Sequence, residues 1–176
     1  MPTLSSLAIH WMTHMEEFCS SLKTNASSLQ VRTLSLHSIE LPTLTSSENL
    51  VESLCSMPHL IDLSIQDTDV TEEFCTAMKA KGASIKVAIL KLKGIDFPSS
   101  VSLESLAVSL CFMPNLTDLS IRSMDEMEEL LSTLKDAATS IQGSFPKISE
   151  GKFSFNGKAQ MDRESFLATL NDGANP

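Results

Sequence analysis

Three adjacent-carboxylate pairs, Glu16-Glu17, Glu72-Glu73 and Glu128-Glu129, are the residues of this chain best suited to acid–base chemistry. Two carboxyl groups in unlike environments can divide the roles of proton donor and acceptor. Their setting points elsewhere. Thr13-x-x-Glu16, Asp69-x-x-Glu72 and Asp125-x-x-Glu128 each match a capping box, in which side chain and backbone at a helix start satisfy each other's orphan donors. The second acid of each pair suits the positive end of the helix dipole. His10 and His14 stand four apart, a zinc-ligand spacing, yet no Glu follows the first and the segment reads as a strand-to-helix turn.

Cys19, Cys55, Cys75 and Cys111 show no C-x-x-C clustering. They read as buried free thiols acting as small apolar residues, in keeping with a reducing, cytoplasmic setting. Asn25-Ala-Ser27 and Asn115-Leu-Thr117 are glycosylation sequons, which such a setting would leave unused. The sequence contains neither G-x-x-x-x-G-K-[ST] nor G-x-S-x-G. The expectation is a non-enzymatic chain with no cofactor and no metal.

The elements that position these residues follow from an internal repeat. Ile39–Ile85 recurs 56 residues later as Ile95–Ile141, without a gap and with 21 of 47 positions identical. A third, partial copy opens the chain: Glu16-Glu17-Phe18-Cys19 matches Glu72-Glu73-Phe74-Cys75. A fixed period means that each unit shields its neighbour's apolar face. Each unit divides into halves beginning near Leu4, Val31, Leu60, Val87 and Leu116, so the spacing alternates between 27 and 29. Every half opens with L-x-x-L-x-L or its Val/Ile equivalent, a short strand whose last two apolar residues share one face.

After the strands of the halves at 4, 60 and 116, the apolar sets Phe18/Cys19/Leu22, Phe74/Cys75/Met78 and Leu130/Leu131/Leu134 predict inward helix faces. The other helices carry Leu50/Leu54/Cys55 and Leu106/Leu110/Cys111 and stop at Met57-Pro58 and Met113-Pro114, because a residue before proline leaves the helical region. Strands pack about 4.8 Å apart and helices about 8–10 Å apart, so the stack should curve with its strands inside. The fold class is therefore α/β: a horseshoe solenoid in one domain over 1–176, with parallel strands on the concave face and helices on the convex face. An insertion of about seven residues falls at 143–150. A last strand at Lys152–Asn156 pairs Phe153 and Phe155 inward, a polar helix at Met161–Leu170 caps the stack (cap 151–170), and 171–176 is a tail. The first strand has nothing before it to cover its edge, so further repeats or domains are expected to precede residue 1.

The L-x-x-L-x-L strands and the 27/29 alternation resemble leucine-rich repeats of the ribonuclease-inhibitor type over about residues 4–155. The phrase S-L-C-x-M-P-x-L-x-D-L-S-I, at Ser53–Ile65 and Ser109–Ile121, further resembles the C-terminal repeats of NOD-like receptors of the NAIP-like branch. That resemblance implies a recognition segment of an innate immune receptor, detecting a microbial or danger ligand and restraining upstream domains of the same chain. A substrate-recruiting adaptor of ubiquitin-ligase receptors and an enzyme-inhibiting scaffold are the alternatives. One departure stands out: where such repeats carry Asn or Cys after the strand, this chain has Met12, Ile39, Thr68, Ile95 and Met124, which implies apolar packing in place of a polar ladder.

The binding candidates are the outward strand positions: Arg32, His37, Ile61, Asp62, Gln66, Ile89, Lys91, Lys93, Asp118, Arg122 and Lys152. On this face five Lys/Arg oppose two acids, whereas the remainder carries eight against twenty. The net charge of −9 speaks against nucleic acid, whose phosphates the whole-molecule field would repel. No apolar run approaches the roughly 18–20 residues that span a bilayer, so no membrane partner is expected. The expected partner is an acidic or mixed protein segment, steered by charge, with Ile61 and Ile89 adding contact area.

Overall fold

The computed structural model describes residues 4–12, 14–41, 43–122, 127–140 and 152–155. Strands and helices alternate along the chain: β1 (Ser6–His10), α1 (Met15–Asn25), β2 (Thr33–His37), α2 (Leu44–Ser56), β3 (Asp62–Asp69), α3 (Glu72–Lys81), β4 (Ile89–Asp96), α4 (Ser100–Phe112), β5 (Asp118–Arg122), α5 (Met127–Ser140) and β6 (Lys152–Phe155). The six strands form one parallel sheet in sequence order, β1 to β6. Parallel neighbours need a crossover, and each helix supplies one.

The register keeps the repeat in step. Leu7, Leu34, Leu63, Leu90, Leu119 and Phe153 form one row across the sheet; Ile9, Leu36, Ile65, Leu92, Ile121 and Phe155 form the next. Leu34, Leu63, Leu90 and Leu119 are all buried, in one continuous core with Cys19, Leu50, Cys75, Leu106 and Leu130 from successive helices. The helices thus cover the face that carries these two rows. Between β5 and β6 the register partners Asp118 and Lys152 are 34 residues apart, seven more than the 27-residue spacing requires. The predicted insertion at 143–150, cap helix and tail lie outside the described residues.

The Met-Pro stops hold: Met57 and Met113 are the C-caps of α2 and α4. Two of the predicted capping boxes do not. β3 continues its pairing through Thr68↔Ile95 and Asp69↔Asp96, so Asp69 belongs to the sheet and cannot cap. The N-cap of α3 is Thr71, whose Oγ1 accepts from Phe74 N at 3.2 Å, and an apolar residue therefore stands where the box needs Glu72. At α1 the N-cap is His14, with no side-chain cap bond, which moves the start one residue past Thr13. Asp125 lies outside the described residues. Thr43 and Ser99 cap α2 and α4 by accepting from Ser46 N and Ser102 N.

At the C-terminal ends of the strands, Trp11, Ser38, Asp67 and Gly94 occupy equivalent places and all have positive φ, between 47° and 56°. The chain leaves the sheet at this residue after β1 and β2, whereas β3 and β4 pair on beyond it through Thr68↔Ile95 and Asp69↔Asp96. Immediately after it, Ile39, Thr68 and Ile95 are buried and Met12 is half-buried. Packing is apolar there except at Thr68, whose hydroxyl donates to Gln66 O at 2.8 Å.

Candidate functional site

The sheet face opposite the helices carries three in-register rows. The first is Ser6, Thr33, Asp62, Ile89, Asp118 and Lys152; the second Ala8, Ser35, Ser64, Lys91, Ser120 and Ser154; the third His10, His37, Gln66, Lys93 and Arg122. Alternation along β1 to β5 sends the side chains that those strands contribute to these rows away from the core. Just before the strands, Ser5, Arg32, Ile61 and Ala88 form a backbone stair in which each carbonyl accepts two N–H groups from the next half-unit, Arg32 O from Ile61 N at 2.9 Å and Asp62 N at 3.0 Å, for example. Residues preceding the strands are thereby held as firmly as the strands themselves.

The structure joins several candidates into two groups. In the first, Lys91 Nζ reaches Asp62 Oδ2 at 2.8 Å. Asp62 Oδ1 is buried and has no partner among the described residues. Exposed Arg32 and Ile61 flank the pair, and Ile89 is half-buried beside it. Arg32 makes no ion pair among the described residues.

The second group lies at the C-terminal ends of the strands. His37 Nε2 sits 2.9 Å from Asp67 Oδ2, and Lys93 Nζ lies 3.9 Å from the same oxygen. The His10 and His37 rings lie tilted against each other with centroids 5.2 Å apart, and Trp11 meets His37 edge-on at 6.0 Å. Trp11 is 76% exposed. Gln66 folds back across the face and donates to Ser64 Oγ at 2.9 Å, which buries that serine. Arg122 is exposed beside Lys93, without an ion pair among the described residues, and Asp118 is half-buried beside Ile89. Lys152 takes its place in the first row through the register of β6.

Trp11 and Asp67 were not legible as site residues. Strict alternation assigns both to the core side, because each comes one step after a residue on the open face. Their left-handed φ cancels that step and swings the side chains clear of the core. Gly94 at the same offset was the available signal, since glycine in a strand pattern marks an unusual backbone. With Asp67 included, four described cations (Arg32, Lys91, Lys93, Arg122) face three acids (Asp62, Asp67, Asp118), and two of those cations are paired. The open face is therefore mixed in charge rather than basic.

The other candidates separate. Glu16, Glu17, Glu72 and Glu73 are exposed in the first turns of α1 and α3, in positions that suit the helix dipole. His14 flanks α1 while His10 lies on β1, and among the described residues no group of three His, Cys, Asp or Glu could hold a metal ion. The four cysteines are free. Burial pushes the thiols of Cys19 and Cys111 up to about 11 and that of Cys75 to about 12, with Glu72 adding to the last; the Cys55 thiol is raised as well, mainly by burial. Thiols so raised are poor nucleophiles at neutral pH. Among the described residues no helix is long and apolar enough to cross a membrane. A scan against protein-family models finds no match for this chain, and a search of curated proteins finds none either.

Proposed function

We propose that this chain is a leucine-rich-repeat solenoid whose open sheet face is concave and recognises a protein segment, without catalysis. The reading that fits best is a cytoplasmic sensing segment of a NOD-like innate immune receptor, with a protein or microbial-type ligand as partner. Six parallel strands in sequence order, with a helix after each of the first five, support the repeat reading. The observation that carries the binding reading is the arrangement of half-satisfied charge on the open rows. Arg32 and Arg122 stand without ion pairs among the described residues, and Asp62 keeps one buried oxygen without a donor.

Such a surface asks for a segment of mixed charge: carboxylates opposite Arg32 and Arg122, a donor for Asp62 Oδ1, and an apolar side chain against Ile61 and Ile89. Charged groups arranged in this way confer specificity and speed of encounter more than raw affinity. The test is titration of the chain against a synthetic peptide library of acidic, mixed and basic sequences, before and after Lys91→Glu/Lys93→Glu/Arg122→Glu. Selective binding of acidic or mixed peptides, weakened at least about tenfold by the triple reversal, is expected. Equal binding by the two proteins overturns the reading.

A further inference from the structure

Helix α4 is apolar on both of its faces. Leu103, Leu106, Leu110 and Cys111 lie in the core. On the opposite side Val101 is 54% exposed, Val108 is half-buried and Phe112 is 42% exposed. Spacings of seven and four residues stack these three into one stripe. A helix that is apolar all round belongs where both faces are covered. Beside the stripe an open groove of about 470 Å³ runs between α4 and α5, completed by Ala137 and by the acids Glu104, Glu129 and Asp136.

The internal repeat supplies a control, because α2 and α3 hold the same places 56 residues earlier. There Thr45, Glu52 and Ser56 stand for Val101, Val108 and Phe112, and Lys81 stands for Ala137. Glu52 ties three helices together, meeting Lys23 of α1 at 2.6 Å and Lys81 of α3 at 3.8 Å. In the later copy Val108 and Ala137 replace that bridge, and Lys79, the counterpart of Lys23, meets Glu104 at 3.7 Å instead. Two changes run the other way, Leu44 to Ser100 and Ala77 to Thr133, but neither interrupts the stripe.

The charge of the groove shows what it fits. Relative to α2/α3 it has lost the cation Lys81 and kept the acids of Glu48 and Glu73 as Glu104 and Glu129. An acidic peptide or an anionic membrane would be repelled, and a second copy would set these carboxylates against themselves. The stretches 141–151 and 156–176 carry Lys147, Lys158 and Arg163 against Glu150, Asp162, Glu164 and Asp172, so neither is basic. We propose that the α4/α5 groove is a docking surface for a basic amphipathic helix of another protein. Its apolar stripe lies on Val101, Val108 and Phe112, and its Lys or Arg side chains meet Glu104 and Glu129. This surface lies across the sheet from the open rows and selects the opposite charge, so its test succeeds or fails independently of theirs.

The experiment titrates the full chain by calorimetry with three synthetic peptides. One is an amphipathic helix of Leu and Lys, one a shuffled peptide of the same composition without the stripe, and one the first peptide with Glu in place of Lys. Only the first should bind tightly. Val101→Thr/Val108→Glu/Phe112→Ser, which restores the α2 residues, should weaken that binding at least about tenfold. This variant is more negative than the parent, so charge attraction alone predicts the opposite. Glu104→Lys/Glu129→Lys, at exposed positions, should weaken the Leu/Lys peptide and admit the Leu/Glu one. Equal binding of the ordered and shuffled peptides, or equal binding by the parent and the restored variant, overturns the proposal. So does sedimentation of the parent as a dimer that the restored variant dissociates, which would assign the face to a second copy. A urea midpoint that falls as far in Phe112→Ser as in Leu106→Ala overturns it too, because the chain itself would then cover the stripe.

Discussion

Asp67 lies over Gly94, so that a Cβ built on the glycine would run into the Asp67 carboxylate. The same carboxylate meets His37 at 2.9 Å and Lys93 at 3.9 Å, and both it and the glycine have left-handed backbone. One contact therefore ties loop geometry to the open-face cluster. Gly94→Ala must bear the left-handed penalty and displace the carboxylate, and we expect a loss of about 2–3 kcal/mol. Ser38→Ala, at the equivalent φ without that overlying group, should cost less than about 1 kcal/mol. Urea titration of the two variants checks this; a Gly94→Ala loss of only about 1 kcal/mol, the backbone penalty alone, would show that the carboxylate yields freely.

The helix starts give a sharper comparison. Thr71 Oγ1 caps α3 at 3.2 Å from Phe74 N, and Thr43 and Ser99 do the same for α2 and α4. Alanine at any of these should cost about 0.5–2 kcal/mol. Asp69→Ala should stay within about 0.5 kcal/mol, because this residue ends a strand and caps nothing. A larger loss at Asp69 than at Thr71 in thermal or urea unfolding would restore the capping box that the sequence suggested.

That reversal shows what was legible and what was not. The strand rows could be read because burial imposes a period of two on Leu34/Leu36 and its copies, and a one-step slip would expose the whole set. The seven-residue offset before β6 was readable for the same reason, since Phe153 and Phe155 restore the pattern where the count had failed. Helix ends were less legible: Thr68 and Asp69 look like a turn, yet pairing with Ile95 and Asp96 keeps them in the sheet. In the site, the three open rows follow from alternation. Asp67 and Trp11 do not, because one left-handed residue resets the phase and only Gly94 announces it.

The core row permits a graded test of stacking. Leu34 and Leu63 are fully buried, whereas Leu7, in the same row, is half-exposed. Alanine should cost about 2–5 kcal/mol at either of the first two, through lost transfer energy and the cavity left behind. At Leu7 the loss should be about 1 kcal/mol, because less area leaves the core. Chemical denaturation of the three variants reads the gradient directly. A uniform loss would mean that β1 is covered in solution.

The thiols set the behaviour at high pH. Burial raises Cys19 and Cys111 to about 11 and Cys75 to about 12, above the ordinary thiol value of 9.0 that the unfolded chain should follow. Folded protein therefore holds these protons where unfolded protein releases them. The stability this confers is complete below pH 9 and is lost as pH rises through 11 and 12. We expect the melting temperature to fall between those limits, and to fall less steeply in Cys75→Ala than in the parent, although the variant is less stable at neutral pH. Below that window a thiol reagent should reach Cys55 first, since it is half-buried and carries Lys81 nearby, a charge that favours its thiolate. Labelling at pH 8 followed by peptide mass analysis decides the order. Equal labelling of Cys55 and Cys75 in folded protein would show that the helix layer opens far more readily than its packing implies.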